Sequence, residues 1–323
     1  MKKRMYSITL IMLIASILSC NKKKVEQTQT IIKFPTASAS GTLYAIGAAI
    51  TNLWNNKIDF VNASSHASNG GIDNLNQIAD SESHVSIAIS SNCYQSFHGI
   101  DNFSGSPNKN LRVIAGLYFN PNQVVVTQKS RITSLHDIKG KRFAVAAAGS
   151  SVEGECRNHF TAAGLIYPND MHVEYISFSD AADMLQNGTL DGAWIMSGTP
   201  AAAVLQAYSS GCKLIAISNA VITELKKSYP WYATYTIPAE TYPGQNIDIQ
   251  TSAVKMVMFC NATLDDETVY LLTKIFWENI DELAEAQQSL QGLTPEAAVK
   301  DIADLAIHNG SKKYYSEIGV ITN

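Results

Sequence analysis

The feature that most constrains this 323-residue chain is an alternation of short apolar runs with helical patterns that runs through one set of elements and then begins again. Ile31–Phe34 reads as a strand, Gly41–Trp54 as a helix, Ile58–Ala63 as a strand and Gly71–Ala79 as a helix. Val85–Ile89 and Leu111–Leu117 add two further strands. Runs of this length, β-branched and apolar, suit strands covered on both faces, and their alternation with helices predicts a doubly wound α/β architecture around a parallel sheet. After Asn120-Pro121-Asn122 the pattern resumes, with strands at Gln123–Thr127, Arg142–Ala147, His172–Ile176, Leu190–Met196 and Lys213–Ile217. The helices between them are Ser150–Gly164, Asp180–Gln186 and Pro200–Tyr208, and Val254–Phe259 is another strand. Asp265 to Gln288 has the pattern of one long amphipathic helix, opened by three acids that suit a helix N-terminus. Thr294-Pro295-Glu296 caps a last helix that runs through Ile307.

Two similar units in series predict two lobes, and the length suits two domains of about 100–200 residues. The tail helices follow the second unit and need a surface to pack on. The economical path leaves the first lobe near Pro121, returns near Asn261, and lays the tail on the first lobe. Lobe 1 is then 31–121 with 262–323, and lobe 2 is 122–261. Two crossings make a hinge, with a ligand cleft at the carboxyl ends of the strands.

The N-terminus carries an export signal. Lys2, Lys3 and Arg4 precede an apolar stretch from Ile8 to Leu18. That is about 11 residues, short of the roughly 20 that span a bilayer. Ile17-Leu18-Ser19-Cys20 follows and resembles a bacterial lipobox, so residues 1–19 read as a lipoprotein leader and Cys20 as the site of lipidation. The alternative is a plain secretory leader with an incidental cysteine. Residues 20–30 are polar and read as a tether to the outer face of the membrane.

Net charge is −4, and loss of Lys2, Lys3 and Arg4 with the leader makes it more negative, which argues against nucleic acid as a partner. Cys93, Cys156, Cys212 and Cys260 match no metal-site spacing. Export permits two bridges in any of three connectivities, but a domain this large needs no staples, and free buried thiols are favoured. The histidines form no His-Glu-x-x-His pair, and neither a Gly-x-Ser-x-Gly nor a phosphate-loop pattern occurs. Ser210-Gly211-Cys212-Lys213 fits Ser-x-x-Lys but lies where a helix runs into a strand, the wrong context for a nucleophile. The chain reads as a binding protein, without enzymatic chemistry, cofactor or metal.

Four small-residue turns fall at strand ends. Ser38-Ala39-Ser40-Gly41-Thr42-Leu43-Tyr44 joins the first strand to the first helix, and Ala147–Glu153 opens the equivalent helix of the second unit. Ser90-Ser91-Asn92-Cys93-Tyr94 follows Val85–Ile89, and Ser197-Gly198-Thr199-Pro200 follows Leu190–Met196. Each turn has two readings. Ser150 or Ser151 can cap a helix with Glu153 closing a capping box, or the free amides and hydroxyls can face a ligand. Converging on one cleft, Ser40, Thr42, Tyr44, Ser91, Asn92, Ser150, Ser151, Ser197 and Gly198 would make a neutral pocket rich in hydroxyls and amides.

The chain resembles the TAXI group of solute-binding proteins of tripartite ATP-independent periplasmic (TRAP) transporters over nearly all of its mature length. The family's opening Gly-Thr-Gly-Gly-Thr-Tyr-Tyr-Pro-Ile-Gly is similar to Ser38–Gly47, and its Gly-Ala-Pro-Gly-Ser-Gly-Thr-Glu to Ala146–Glu153. Further matches are Ile176–Ala182, Gly198–Val204, the diagnostic Thr236–Gln245, and Ile307-His308-Asn309-Gly310 with Tyr314-Tyr315. The departures include two serines for glycines, Leu43 for Tyr and Ala45 for Pro in the first loop, and Val152 for Thr in the second. The resemblance implies a two-lobed type 2 periplasmic-binding-protein fold, a small ligand such as an amino acid or organic acid, glutamate-like, and membrane permease subunits as partners. A lipid-anchored sensor uncoupled from transport, or an enzyme on the same scaffold, are the other classes that such a chain can serve.

Overall fold

The computed structural model describes residues 29–37, 39 and 42–320. The expected leader, Cys20, most of the tether and Ser40 lie outside the described residues. Strand β1 (Thr30–Pro35) pairs in parallel with β2 (Val61–His66), Thr30 opposite Val61. The second strand starts later than expected because Ile58 closes the preceding helix α1 (Thr42–Lys57), donating its amide to the Trp54 carbonyl at 2.9 Å.

A larger mixed sheet is organised by two long antiparallel strands, β4 (Leu111–Thr127) and β10 (Ile249–Asn261). The expectation of separate strands at 111–117 and 123–127 is corrected: β4 is one 17-residue strand, continuous through Pro121. Pro121 sits where β4 changes partners. It faces Ala253 of β10, and from Asn122 onward β4 pairs instead with β7 (Gly192–Met196) and, from Val124, with β8 (Cys212–Ile215). A residue lacking an amide donor is tolerated at such an exchange.

The parallel sheet is likewise only partly present. β5 (Arg142–Ala144) pairs in parallel with β6 (His172–Glu174) and with β7, but every strand that pairs with β4 or β10 does so antiparallel. A chain that crosses between lobes and comes back must run in opposite directions, and neighbouring strands of opposite direction pair antiparallel. Strand β3 (Val85–Ile89), wholly buried, flanks β10 in lobe 1, and β9 (Ala233–Ile237) flanks it in lobe 2. No strand was expected at β9. Its alternating exposure lacks the continuous apolar run that marked the others.

Helices α2 (Gly71–Ala79) and α3 (Ser90–His98) cover lobe 1, and α4 (Ser151–Ala162), α5 (Phe178–Gln186), α6 (Ala202–Ser209) and α7 (Asn219–Ser228) cover lobe 2. The single helix expected over 265–288 is two, α8 (Asp266–Glu278) and α9 (Ile280–Ala286). They break at Asn279, whose Nδ2 donates to the Ile275 carbonyl at 2.8 Å and competes with the backbone ladder. The expected helix through Ile307 is only one turn, α10 (Pro295–Ala298), because Ile307 is drawn into a bridge with Val113 of β4. The last helix among the described residues is α11 (Asn309–Glu317).

The tail packs against α1 and β4. Trp54 Nε1 donates to the Leu272 carbonyl at 3.0 Å, and the Tyr315 hydroxyl to the Ile114 carbonyl at 3.0 Å. Each buried aromatic of this kind removes roughly 150–250 Å² from water. Cys93, Cys156, Cys212 and Cys260 are buried and unpaired, as favoured above.

Candidate functional site

Two spaces lie between the lobes. The larger has a volume of about 800 Å³. Lobe 1 and the crossing strands contribute Thr42 and Leu43 from α1, Tyr118 and Asn120 from β4, Met256 from β10, and Gln288 with Ser289 from the connector after α9. Lobe 2 contributes Phe178 and Ser179 from α5 and the turn Ser197–Ala201 that leads from β7 into α6. No described residue lining this space is charged.

The lobe 2 wall is held by a pair of buried side chains. The Tyr242 hydroxyl accepts from the Ala201 amide at 3.0 Å and donates to Gln123 Oε1 of β4. Gln123 Nε2 in turn donates to the Ser197 carbonyl at 2.9 Å. Burial pushes the Tyr242 hydroxyl up to about 12, so it remains protonated and keeps donating. Tyr242 belongs to the stretch Thr236–Gln245 that carries the family resemblance, and its position gives that stretch a physical role: it fixes the turn at the cleft. A methyl group at Gly198 would meet only ordinary van der Waals contacts, with Ser289 Oγ at 3.9 Å.

The smaller space, about 170 Å³, lies where α3 of lobe 1 meets α4 of lobe 2. Ser91 Oγ donates to Glu155 Oε1 at 3.1 Å, and Ser151 Oγ donates to Asn92 Oδ1 at 2.6 Å. Ser150 is the N-cap of α4, accepting from the Glu153 amide at 3.2 Å. The expected capping box is only half formed, because the Glu153 carboxylate pairs with Arg157 at 2.6 Å instead of reaching back.

Behind this seam runs a buried polar chain. Burial pushes His159 down to about 4, so the ring is neutral. Its Nδ1 donates to the Glu155 carbonyl at 2.6 Å and its Nε2 accepts from Ser252 Oγ at 2.6 Å. Asn122 Nδ2 donates to Ser252 Oγ at 3.0 Å, while Asn122 Oδ1 accepts from Trp194 Nε1 at 2.8 Å. Thr251 Oγ1 donates to the Asn122 carbonyl. The two crossing strands are thus tied to α4 at the level where β4 changes partners.

The expected site residues therefore divide. Thr42, Ser197 and Gly198 line the larger space, and Ser91, Asn92, Ser150 and Ser151 the smaller. Tyr44, half-buried on α1, lines neither, and Ser40 is outside the described residues. The convergence of all four turns on one cleft is corrected, because α3 and α4 meet directly and partition it. Tyr118, Asn120, Met256 and Gln288 were missed because they come from crossing strands and a connector, where strand-to-helix turns give no signal. Glu155 did leave one: helical spacing places it with Cys156, His159 and Phe160 on the face of α4 that is buried.

Among the described residues no group of three or more His, Cys, Asp or Glu is placed to hold a metal, and no helix is long and apolar enough to cross a membrane.

Solved structures share this architecture. A TctC solute-binding protein from Polaromonas matches at 15% identity and a TM-score of 0.51, covering 81% of this chain and 86% of its own. A putative periplasmic sulfonate-binding protein from Methylobacillus flagellatus matches at 10% identity and a TM-score of 0.53, over 90% of this chain and 96% of its own. A Xanthomonas citri protein bound to ATP matches at 8% identity and a TM-score of 0.53, over 90% and 100%. At such identities the likeness establishes the fold, the two-lobed, mixed-sheet α/β fold of periplasmic binding proteins. The model of the NMT1-like family matches residues 34–319, and the chain belongs to that family.

Proposed function

We propose that this protein is the extracytoplasmic solute-binding subunit of a transporter, which captures a small organic acid or amino acid, glutamate-like, and hands it to a membrane permease. The larger interlobe space carries this reading. Its volume of about 800 Å³ falls in the range of small-molecule sites, and both lobes and both crossing strands contribute to its wall. An occupant that touches both lobes favours the closed arrangement by as much as it binds that arrangement better than the open one. The lining supplies hydroxyls, amides and apolar surface, so a carboxylate here is held by neutral donors without an ion pair. No acid, base or thiol lines the space among the described residues, which supports binding over catalysis.

The first crossing is kept at Pro121, as expected, and the return, expected near Asn261, is proposed instead at Ala253, which faces Pro121, so that lobe 1 is 31–121 with 254–323 and lobe 2 is 122–253. The leader and Ser19-Cys20 support export with a lipid anchor at Cys20, and the motif resemblance supports a TRAP permease and the TAXI group. Mass spectrometry of the protein purified from its own membranes tests the reading. The native spectrum should show a copurifying solute, and the denatured one a diacyl or triacyl mass on Cys20. A protein that carries no solute, and whose melting temperature no amino acid, organic acid or sulfonate raises, would overturn it.

A further inference from the structure

The seam between α3 and α4 holds an acid that solute binding in the larger space does not use. Glu155 projects from α4 of lobe 2, is 3% exposed, and accepts from Ser91 Oγ of lobe 1 at 3.1 Å through Oε1. Its Oε2 is sealed from solvent and makes no hydrogen bond of normal geometry, although the neutral donors Tyr232 and Asn122 stand beside the carboxyl.

No cation among the described residues pairs with it. Arg157, one turn away from Glu153, points to solvent and pairs with Glu153 at 2.6 Å. The groups facing Glu155 from the other elements are neutral or acidic. On α4 itself, His159 is held neutral by burial, and burial keeps the Cys156 thiol protonated. Tyr232 is buried beside the carboxyl and its hydroxyl is pushed well above its ordinary value, first by burial and then by Glu155. Lobe 1 brings Ser91 and Asn92, the crossing strands bring Asn122 and Ser252, and the small cavity adds Asp101, Glu153 and Tyr229. Burial without a cation outweighs the neutral donors Tyr232, Ser91 and Asn122, so the closed seam favours the protonated carboxyl.

We propose that Glu155 is the positioning residue of lobe closure: the seam closes on its protonated carboxyl, and loss of that proton to water parts α3 from α4 and opens the cleft. This goes beyond solute capture, since it links release to the pH outside the cell membrane. Burial raises the group from its ordinary 4.5 to about 7 in the closed seam. In the open arrangement, where water reaches it, it returns toward 4.5. Below 4.5 both arrangements hold the proton and closure is at full strength. Between 4.5 and about 7 the closed-to-open ratio falls by up to tenfold per pH unit, and above about 7 it levels off.

Small-angle scattering of the purified protein from pH 5 to pH 8.5 tests this without knowing the solute. The radius of gyration of the wild type should rise toward neutral pH and then level, while Glu155→Gln, neutral at every pH, should stay compact throughout. Infrared spectra of the wild type alone should show a protonated carboxyl band that is lost as the radius rises, which keeps the test independent of the variant's folding. A wild-type radius that does not change, or one that changes alike in both proteins, overturns the proposal. In that event a solute still recovered from the protein leaves the capture reading standing, whereas a pH-dependent radius in a protein that never carries solute leaves only the latch.

Discussion

The larger interlobe space holds about 800 Å³ and is lined without a charged side chain, whereas the smaller holds about 170 Å³ and is lined by Asp101, Glu153, Glu155 and Arg157 among others. At the first, the lobes stand apart, and the lobe 2 wall is braced from behind by Gln123 and Tyr242. At the second, the lobes touch through Ser91–Glu155 and Ser151–Asn92. The difference teaches that the same kind of serine-bearing turn does two jobs in one fold. Where the facing surface is distant it presents groups to an occupant, and where the facing surface is near it bonds the other lobe.

The sharpest way to break this comparison is to fill one space. A Cβ at Gly198 would make only ordinary van der Waals contacts, and the residue lines the larger space, so a tryptophan there is the variant chosen to take up its volume. Gly198→Trp should weaken solute binding by about a hundredfold or more, about 2.7 kcal/mol, with the melting temperature of the empty protein little changed. Calorimetric titration with the copurified solute measures it. Wild-type affinity in this variant would shift recognition to the smaller space.

A second variant strikes the tie behind the seam. Asn122→Ala leaves Trp194 Nε1 without its acceptor and takes a donor from Ser252, both buried. A buried group left without a partner costs about 1–3 kcal/mol, which should appear in urea unfolding of the empty protein. A stability equal to wild type would show that the crossing strands do not depend on this network.

The mildest pair sharpens the comparison. Ser150→Ala removes an N-cap and should lower the stability of the empty protein by about 0.5–2 kcal/mol while leaving affinity nearly unchanged. Thr42→Ala removes a hydroxyl at the larger space and should do the reverse, with about 0.5–1.5 kcal/mol lost in affinity and apo melting intact. Equal losses of affinity in both variants would mean that the two spaces act as one site.

Much of the fold was legible before any coordinates. The strand at Val85–Ile89 and the helix at Gly71–Ala79 appear with the expected bounds, because each is a short run whose own periodicity decides it. The acids at the start of α8 announced its N-terminus, and Asp265 does cap it through the Thr268 amide at 2.8 Å. The site was half legible. Thr42, Ser197 and Gly198, expected from the rule that open α/β sheets place ligands at strand carboxyl ends, line the larger space. Tyr118 and Asn120 were hidden inside a run that reads only as a buried strand.

Apolar periodicity, caps and the N-terminal charge pattern determined the elements, the two-unit order and the exported character expected of the chain, since these depend on residues close together in sequence. Only the tertiary structure decided that β4 passes unbroken through Pro121, that α3 and α4 close one end of the cleft, and that Glu155 is sealed between them. Those outcomes depend on which distant surfaces meet. Asn92 and Ser151 are 59 positions apart, Ser91 and Glu155 are 64 apart, and nothing local records their contact.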